Sequence, residues 1–221
     1  MSKRQLYYAP SQFQVEEIYG RPAKEVVDEV TSAFDCYAPE DDCIYLSSEI
    51  TSGERVFDLL RKHGASSREH LKEKLGGIYD ELWNELMDGN LAEGRAFFER
   101  THSEGHRNLI NPGPFYARGW TQEHYLYLWE WVIVHKCKEA RFNSGWNYSN
   151  GCTLEYAISL RKGIRTLGED GRPMKAEDAT KRIEHALDEY DEAGIDATSI
   201  RKNLQRIKRA IDGRAEEETS S

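Results

Sequence analysis

The chain has 221 residues, with 39 acidic against 30 basic side chains and a formal charge of -9, which is length enough for one sizeable core with additions. An acidic balance of this size excludes a general nucleic-acid or anionic-membrane binder, while leaving room for a local basic pocket around one phosphate. Cys36, Cys43, Cys137 and Cys152 lack zinc-type spacing, and no signal-type apolar region or membrane-length run is present, so free thiols, no membrane partner and a cytoplasmic location are expected.

Residues 1–42 are polar, with a helix expected from Arg21-Pro22 through AKEVVDEVTSAF, because Pro22 suits a first helical turn. CIYLSS, Cys43 to Ser48, is a β-branched and aromatic run that reads as a buried strand, and TSGERVFDLLRKHG follows with caps and helical periodicity. In SSREHLKEKLGGIYDELWNELMDG, Leu71, Leu75, Ile78, Leu82 and Leu86 recur at helical spacing, and a shorter helix is expected through AEGRAFFER. NLINPGPF, Asn108 to Phe115, gives a second short strand, ended where Pro112-Gly113-Pro114 forbids further ladder pairing.

TQEHYLYLWEWVIVHKC reads as an aromatic-rich helix capped by Thr121, and KEARF as a third strand. A polar, Gly-punctuated loop follows, then a helix that carries Glu155 near its start, and a last strand at GIRTL. This alternation predicts an α/β, Rossmann-like parallel sheet flanked by helices over residues 43–170. Residues 1–42 then form an N-terminal helical extension. AEDATKRIEHALDEYDEAG and TSIRKNLQRIKRAIDG make a C-terminal helical pair over 171–213, and RAEEETSS, 214–221, a disordered tail.

In such sheets ligands bind where strands end and helices begin, since helix N-termini present unpaired N–H groups. Two loops qualify: SSEITSGER, Ser47 to Arg55, after the first strand, and NSGWNYSNG, Asn143 to Gly151, after the third. Read alone, Thr51, Ser52, Ser149 and Asn150 are also what ordinary helix caps require. His102 and His106 do not have a known zinc spacing, so no metal is expected.

Order and spacing add a further reading. The strand tyrosine in IYLSS, the Ser/Gly/Arg loop SSEITSGER, the strand end INP and the block GWNYSNGCTLEYA resemble the nucleoside 2-deoxyribosyltransferase-like superfamily. The likeness spans Cys43 to Leu167, and its most specific part is Trp146, Ser149, Gly151 and Glu155 in the pattern Trp-x-x-Ser-x-Gly-x-x-x-Glu. It implies that Glu155 is the nucleophile toward an anomeric carbon and that Tyr45 orients it. A Ser at position 149, where deoxyribosyltransferases typically carry Asp, is similar to the deoxynucleoside 5'-monophosphate N-glycosidase branch. There it implies a 5'-phosphate contact, with Ser48, Gly53 and Arg55 as further substrate-binding residues and Trp146 and Gly151 beside the substrate. Glu130 is a candidate general acid for the leaving base, without a family residue to match it. The resemblance implies a small-molecule nucleotide substrate, no cofactor and a homodimer. Base exchange by a deoxyribosyltransferase, a non-catalytic nucleotide sensor and another N-glycosidic substrate remain alternatives.

Overall fold

The computed structural model describes residues 17–18 and 20–219; residues 1–16 and 19 of the N-terminal extension and Ser220 and Ser221 of the tail lie outside them. A short antiparallel ribbon, β1 (Glu17–Ile18) with β2 (Arg21–Pro22), leads into α1 (Ala23–Tyr37), which starts directly after Pro22 as expected. CIYLS then forms β3 (Cys43–Ser47), buried at every position, the continuous burial of a strand covered on both faces. Next come α2 (Glu54–Lys62), α3 (Arg68–Leu75), α4 (Tyr79–Ser103) and β4 (Leu109–Ile110), which stops short of Pro112. The chain continues through α5 (Gln122–Lys136), β5 (Cys137–Phe142), α6 (Asn150–Arg161) and β6 (Arg165–Gly168) to α7 (Ala176–Glu192) and α8 (Thr198–Thr219). No helix among the described residues is long and apolar enough to cross a membrane.

The sheet order is β4-β3-β5-β6 with every pair parallel, a Rossmann-like arrangement. From β3 the chain steps one way to β4, then crosses back over β3 to β5 and onward to β6. The strand order therefore reverses between β3 and β5, which makes their carboxyl ends a topological switch point.

Strand alternation divides the side chains between two unlike layers. Ile44 and Leu46 pack with Phe97, Phe98 and Leu109, so α4 covers that face of the sheet. The register pairs Ile44 with Glu139 and Leu46 with Arg141, and in this same layer buried Arg141 donates to buried Glu139 and to exposed Glu104, each at 2.7 Å. The opposite face carries Tyr45, Ala140 and Phe142 into the main core with Trp129, Leu154, Tyr156 and Ile158 of α5 and α6.

Three boundaries differ from the sequence reading. Gly76 and Gly77 end α3, Gly76 at a φ of 54°, a conformation that suits glycine. The five apolar residues from Leu71 to Leu86 therefore do not share one face, and Ile78 is 55% exposed. In contrast, α4 runs unbroken through Gly89 and absorbs the separate helix expected at AEGRAFFER; Gly94 lets it approach closely, since a Cβ there would sit 3.0 Å from Ser48 Oγ. At the carboxyl end α8 passes Gly213 and continues to Thr219 in place of the expected disorder, because one glycine costs only about 1 kcal/mol and the following Arg, Ala and Glu residues favour helix.

Phe97 is the fully buried anchor of α4 on the sheet. Phe97→Ala is expected to destabilise the protein by about 3–5 kcal/mol, read from the urea midpoint at unchanged slope.

Candidate active site

The opening turn of α6 is set by Ser149, whose Oγ accepts the Cys152 N–H at 3.3 Å, a side-chain N-cap. One turn further on, Glu155 turns inward and is 7% exposed. Tyr45 donates its phenol to Oε1 at 2.7 Å, and Ser47 donates its hydroxyl to Oε2 at 2.6 Å. Both carboxylate oxygens are thus held from one strand, across more than a hundred residues of sequence. Tyr45 and Ser47 can do this together because alternate residues of a strand face the same way. Ser47 was missed as a site residue, although that alternation beside Tyr45 was its available signal.

Burial pushes the Glu155 carboxyl from its ordinary value of 4.5 up to about 7, while the Ser47 and Tyr45 hydrogen bonds pull it back. Burial, and then the neighbouring Glu155 charge, raise the Tyr45 phenol well above its ordinary value, so it remains a proton donor to the carboxylate. Cys152 lies in the same place, but burial, followed by the Glu155 charge, raises its thiol strongly, which removes it as a nucleophile at neutral pH. The arrangement presents one oriented carboxylate at the switch point, a group able to attack an electrophilic carbon.

The two ligand loops meet at a hydroxyl pair: Ser52 Oγ and Ser149 Oγ are 3.0 Å apart. A Cβ at Gly151 would meet nothing nearer than Ser149 Oγ at 3.9 Å, so the first turn of α6 is open on that side. Tyr45 thus meets Glu155, while Ser149 and Gly151 stand at the start of the same helix, one turn before it.

Other expected residues do not join them. Ser48 has the opposite strand parity from Ser47, lies against Gly94, and belongs to the α4 side. Arg55 points the same way and forms an ion pair with Glu93 on α4. Gly53, at a φ of 131°, begins α2; its missing side chain leaves room for the Glu49 carboxylate, with which a Cβ would collide. Trp146 is 1% exposed and packs between Phe142 and Tyr156 at centroid distances of 5.3 and 5.0 Å, so it is a core residue rather than a stacking platform. Glu130 pairs with Arg161 at 3.5 Å. Arg161 ends α6 about 9 Å below Glu155 along the helix axis, which directs Glu130 away from the mouth of the site. His106 accompanies Arg141 at 2.7 Å and His102 accompanies Arg107 at 3.0 Å; among the described residues no group of His, Cys, Asp or Glu could hold a metal ion.

A second buried carboxylate stands beside these loops. Glu49 is 7% exposed and accepts the Glu54 N–H at 3.0 Å through Oε1. It also presses against Gly145, where a Cβ would lie 2.5 Å from Oε1. Its carboxyl is pushed to about 7, chiefly by burial, with the Glu54 and Glu93 charges adding to the rise and the Glu54 N–H and Arg55 opposing it. Apart from the site, a cavity of about 370 Å³ lies at the end of β4, bordered by Leu91, Arg95, Phe98, Asn111 and Pro114. None of the Glu155 partners lines it.

The raised Glu155 value has a consequence for stability. Between its ordinary 4.5 and about 7 the folded protein keeps a proton that the unfolded chain has released, so stability falls as pH rises through that window. Glu155→Gln removes the buried charge. It is expected to be more stable than wild type at about pH 8, by about 1–3 kcal/mol, with the difference closing below about pH 4.5; urea midpoints across pH check this. No family model, curated protein or solved structure matches the chain.

Proposed function

We propose that the protein is an N-glycosidase that hydrolyses the base–sugar bond of a nucleoside or deoxynucleoside 5'-monophosphate. The observation that carries this reading is the buried Glu155 carboxylate, fixed through both oxygens by Tyr45 and Ser47. In the proposed reaction one Glu155 oxygen attacks the anomeric carbon, the carbon–nitrogen bond breaks, and its electron pair leaves with the base. Water then cleaves the glycosyl ester and restores the carboxylate, as in a retaining glycosidase. Tyr45 and Ser47 hold the attacking oxygen in line and thereby lower the entropic part of the barrier. The Ser52–Ser149 pair and the open first turn of α6 offer hydroxyl and N–H donors for the 5'-phosphate.

One observation favours a second reading. Arg55, the cation expected beside a phosphate, is engaged with Glu93. A deoxyribosyltransferase handling uncharged nucleosides would not need that cation, and it would pass the sugar to an added base.

With a panel of nucleotides and nucleosides, and chromatography for released bases, Glu155→Ala and Glu155→Gln are expected to lose turnover by at least about 10³-fold while remaining folded. Near-normal turnover in either variant removes Glu155 from the reaction. Wild type should prefer a monophosphate over its nucleoside by about a hundredfold, the worth of two charge-assisted contacts. Ser149→Asp, which keeps a good helix cap, should reduce or reverse that preference in kcat/KM. Equal handling of both by wild type favours the transferase reading.

A further inference from the structure

We infer that Glu49 is the proton-transfer residue of this site, protonating the departing base and then taking a proton from the water that releases the sugar. The inference rests on the reading of Glu155 as nucleophile, which leaves the leaving base without an acid now that Glu130 is paired with Arg161.

Position carries the argument. Tyr45 and Ser47 contact Glu155, and two residues after Ser47 the Glu49 carboxylate lies against Gly145 in the loop that leads to α6. Cys152, in the first turn of α6, feels the charges of both Glu155 and Glu49, so both carboxyls lie near that turn. Glycines at both contact points make space for this side chain, Gly53 at a φ of 131° and Gly145 at 75°. One oxygen, Oε1, is fixed by the Glu54 N–H, and among the described residues no donor reaches Oε2, which is free to carry the proton.

The charged surroundings suit the task. Glu54 of α2 and Glu93 of α4 oppose ionisation of Glu49, Arg55 of α2 favours it, and burial dominates; Tyr190 of α7 and Cys152 of α6 feel its charge. A carboxyl poised near neutrality can both give and regain a proton. In the first step the Glu49 proton moves to a base nitrogen as the carbon–nitrogen electron pair leaves, and Glu155 becomes esterified. In the second, water adds to the anomeric carbon, its proton returns to Glu49, and the ester oxygen leaves as the Glu155 carboxylate.

The test compares a purine nucleoside 5'-monophosphate with its N7-methylated counterpart, whose cationic base departs as a neutral molecule and needs no proton. Glu49→Gln is expected to lose about 10²–10⁴-fold in kcat/KM on the first substrate and less than about threefold in kcat/KM on the second, because that quantity reports the base-release step alone; its kcat on the second falls, since water attack still lacks Glu49, and the retained kcat/KM shows that the variant is folded. Glu49→Asp should be intermediate on the first substrate alone. The pH profile for the first substrate should lose the limb that Glu49 supplies. Equal loss of kcat/KM on both substrates, or normal turnover of both, overturns the inference. Glu155→Gln is measured in parallel: if it turns over both substrates, the nucleophile reading fails independently of Glu49.

Discussion

A carboxylate taken out of water is the constraint around which this molecule is arranged. Leaving an ionised group buried costs several kcal/mol unless hydrogen bonds to the charged form offset the loss. Two hydroxyls, from Tyr45 and Ser47, supply those bonds to Glu155. They meet it only because β3 and β5 are adjacent and parallel, with Tyr45 beside Ala140 and Ser47 beside Phe142. A shift of one residue in that register would turn both hydroxyls toward α4 and leave the carboxylate unpaired. Sheet order, register and site are thus one interdependent arrangement.

The C-terminal helices belong to the same arrangement. Asn203 of α8, almost fully buried, donates to the Asn150 carbonyl at 3.0 Å and to Thr153 Oγ1 at 3.0 Å, both in the first turn of α6. Asn147 donates to the Arg182 carbonyl of α7, and Tyr190 donates to the Tyr148 carbonyl. The rings of Phe57, Tyr148 and Tyr190, in tilted and edge-to-face contact, fill the space between α2, the loop and α7. Polar contacts and packing together fix the loop that precedes Glu155, and a site gains from side chains held by such a supporting shell. The helical pair is therefore part of the scaffold for α6, not a detached extension.

The two faces of the sheet have different chemistry, which explains why the expected loop residues separate. Beyond the end of β3, Ser48 turns toward Gly94 of α4, while the Glu49 carboxylate packs against Gly53 and Gly145 in the two loops. Arg55, on the first turn of α2, reaches α4 and Glu93. A loop that looks like one ligand-binding segment in the sequence is thus split by alternation between a structural layer and a chemical one. The same division places Glu139 and Arg141 in a buried ionic group on the α4 side, away from Glu155.

Periodicity, caps and turn residues were enough to read the parallel α/β sheet from the chain. CIYLS, CKEARF and the Pro-terminated LI are strands for local reasons, and Ser149 announces the start of α6. The pairing of Tyr45 with Glu155 was an expectation from residue order and spacing, and the fold brings the two side chains together. What the sequence by itself did not determine were contacts that depend on which way a side chain leaves the backbone. Trp146 reads as a binding aromatic until Phe142 and Tyr156 enclose it. Arg55 reads as a phosphate cation until α4 supplies Glu93. Glu49 reads as surplus negative charge until Gly53 and Gly145 enclose it in a pocket. Local sequence determines where helices and strands begin because their hydrogen bonds are short-range. Tertiary structure alone decided which buried charges found partners, since burial is a property of the assembled layers and each partner lay tens of residues away.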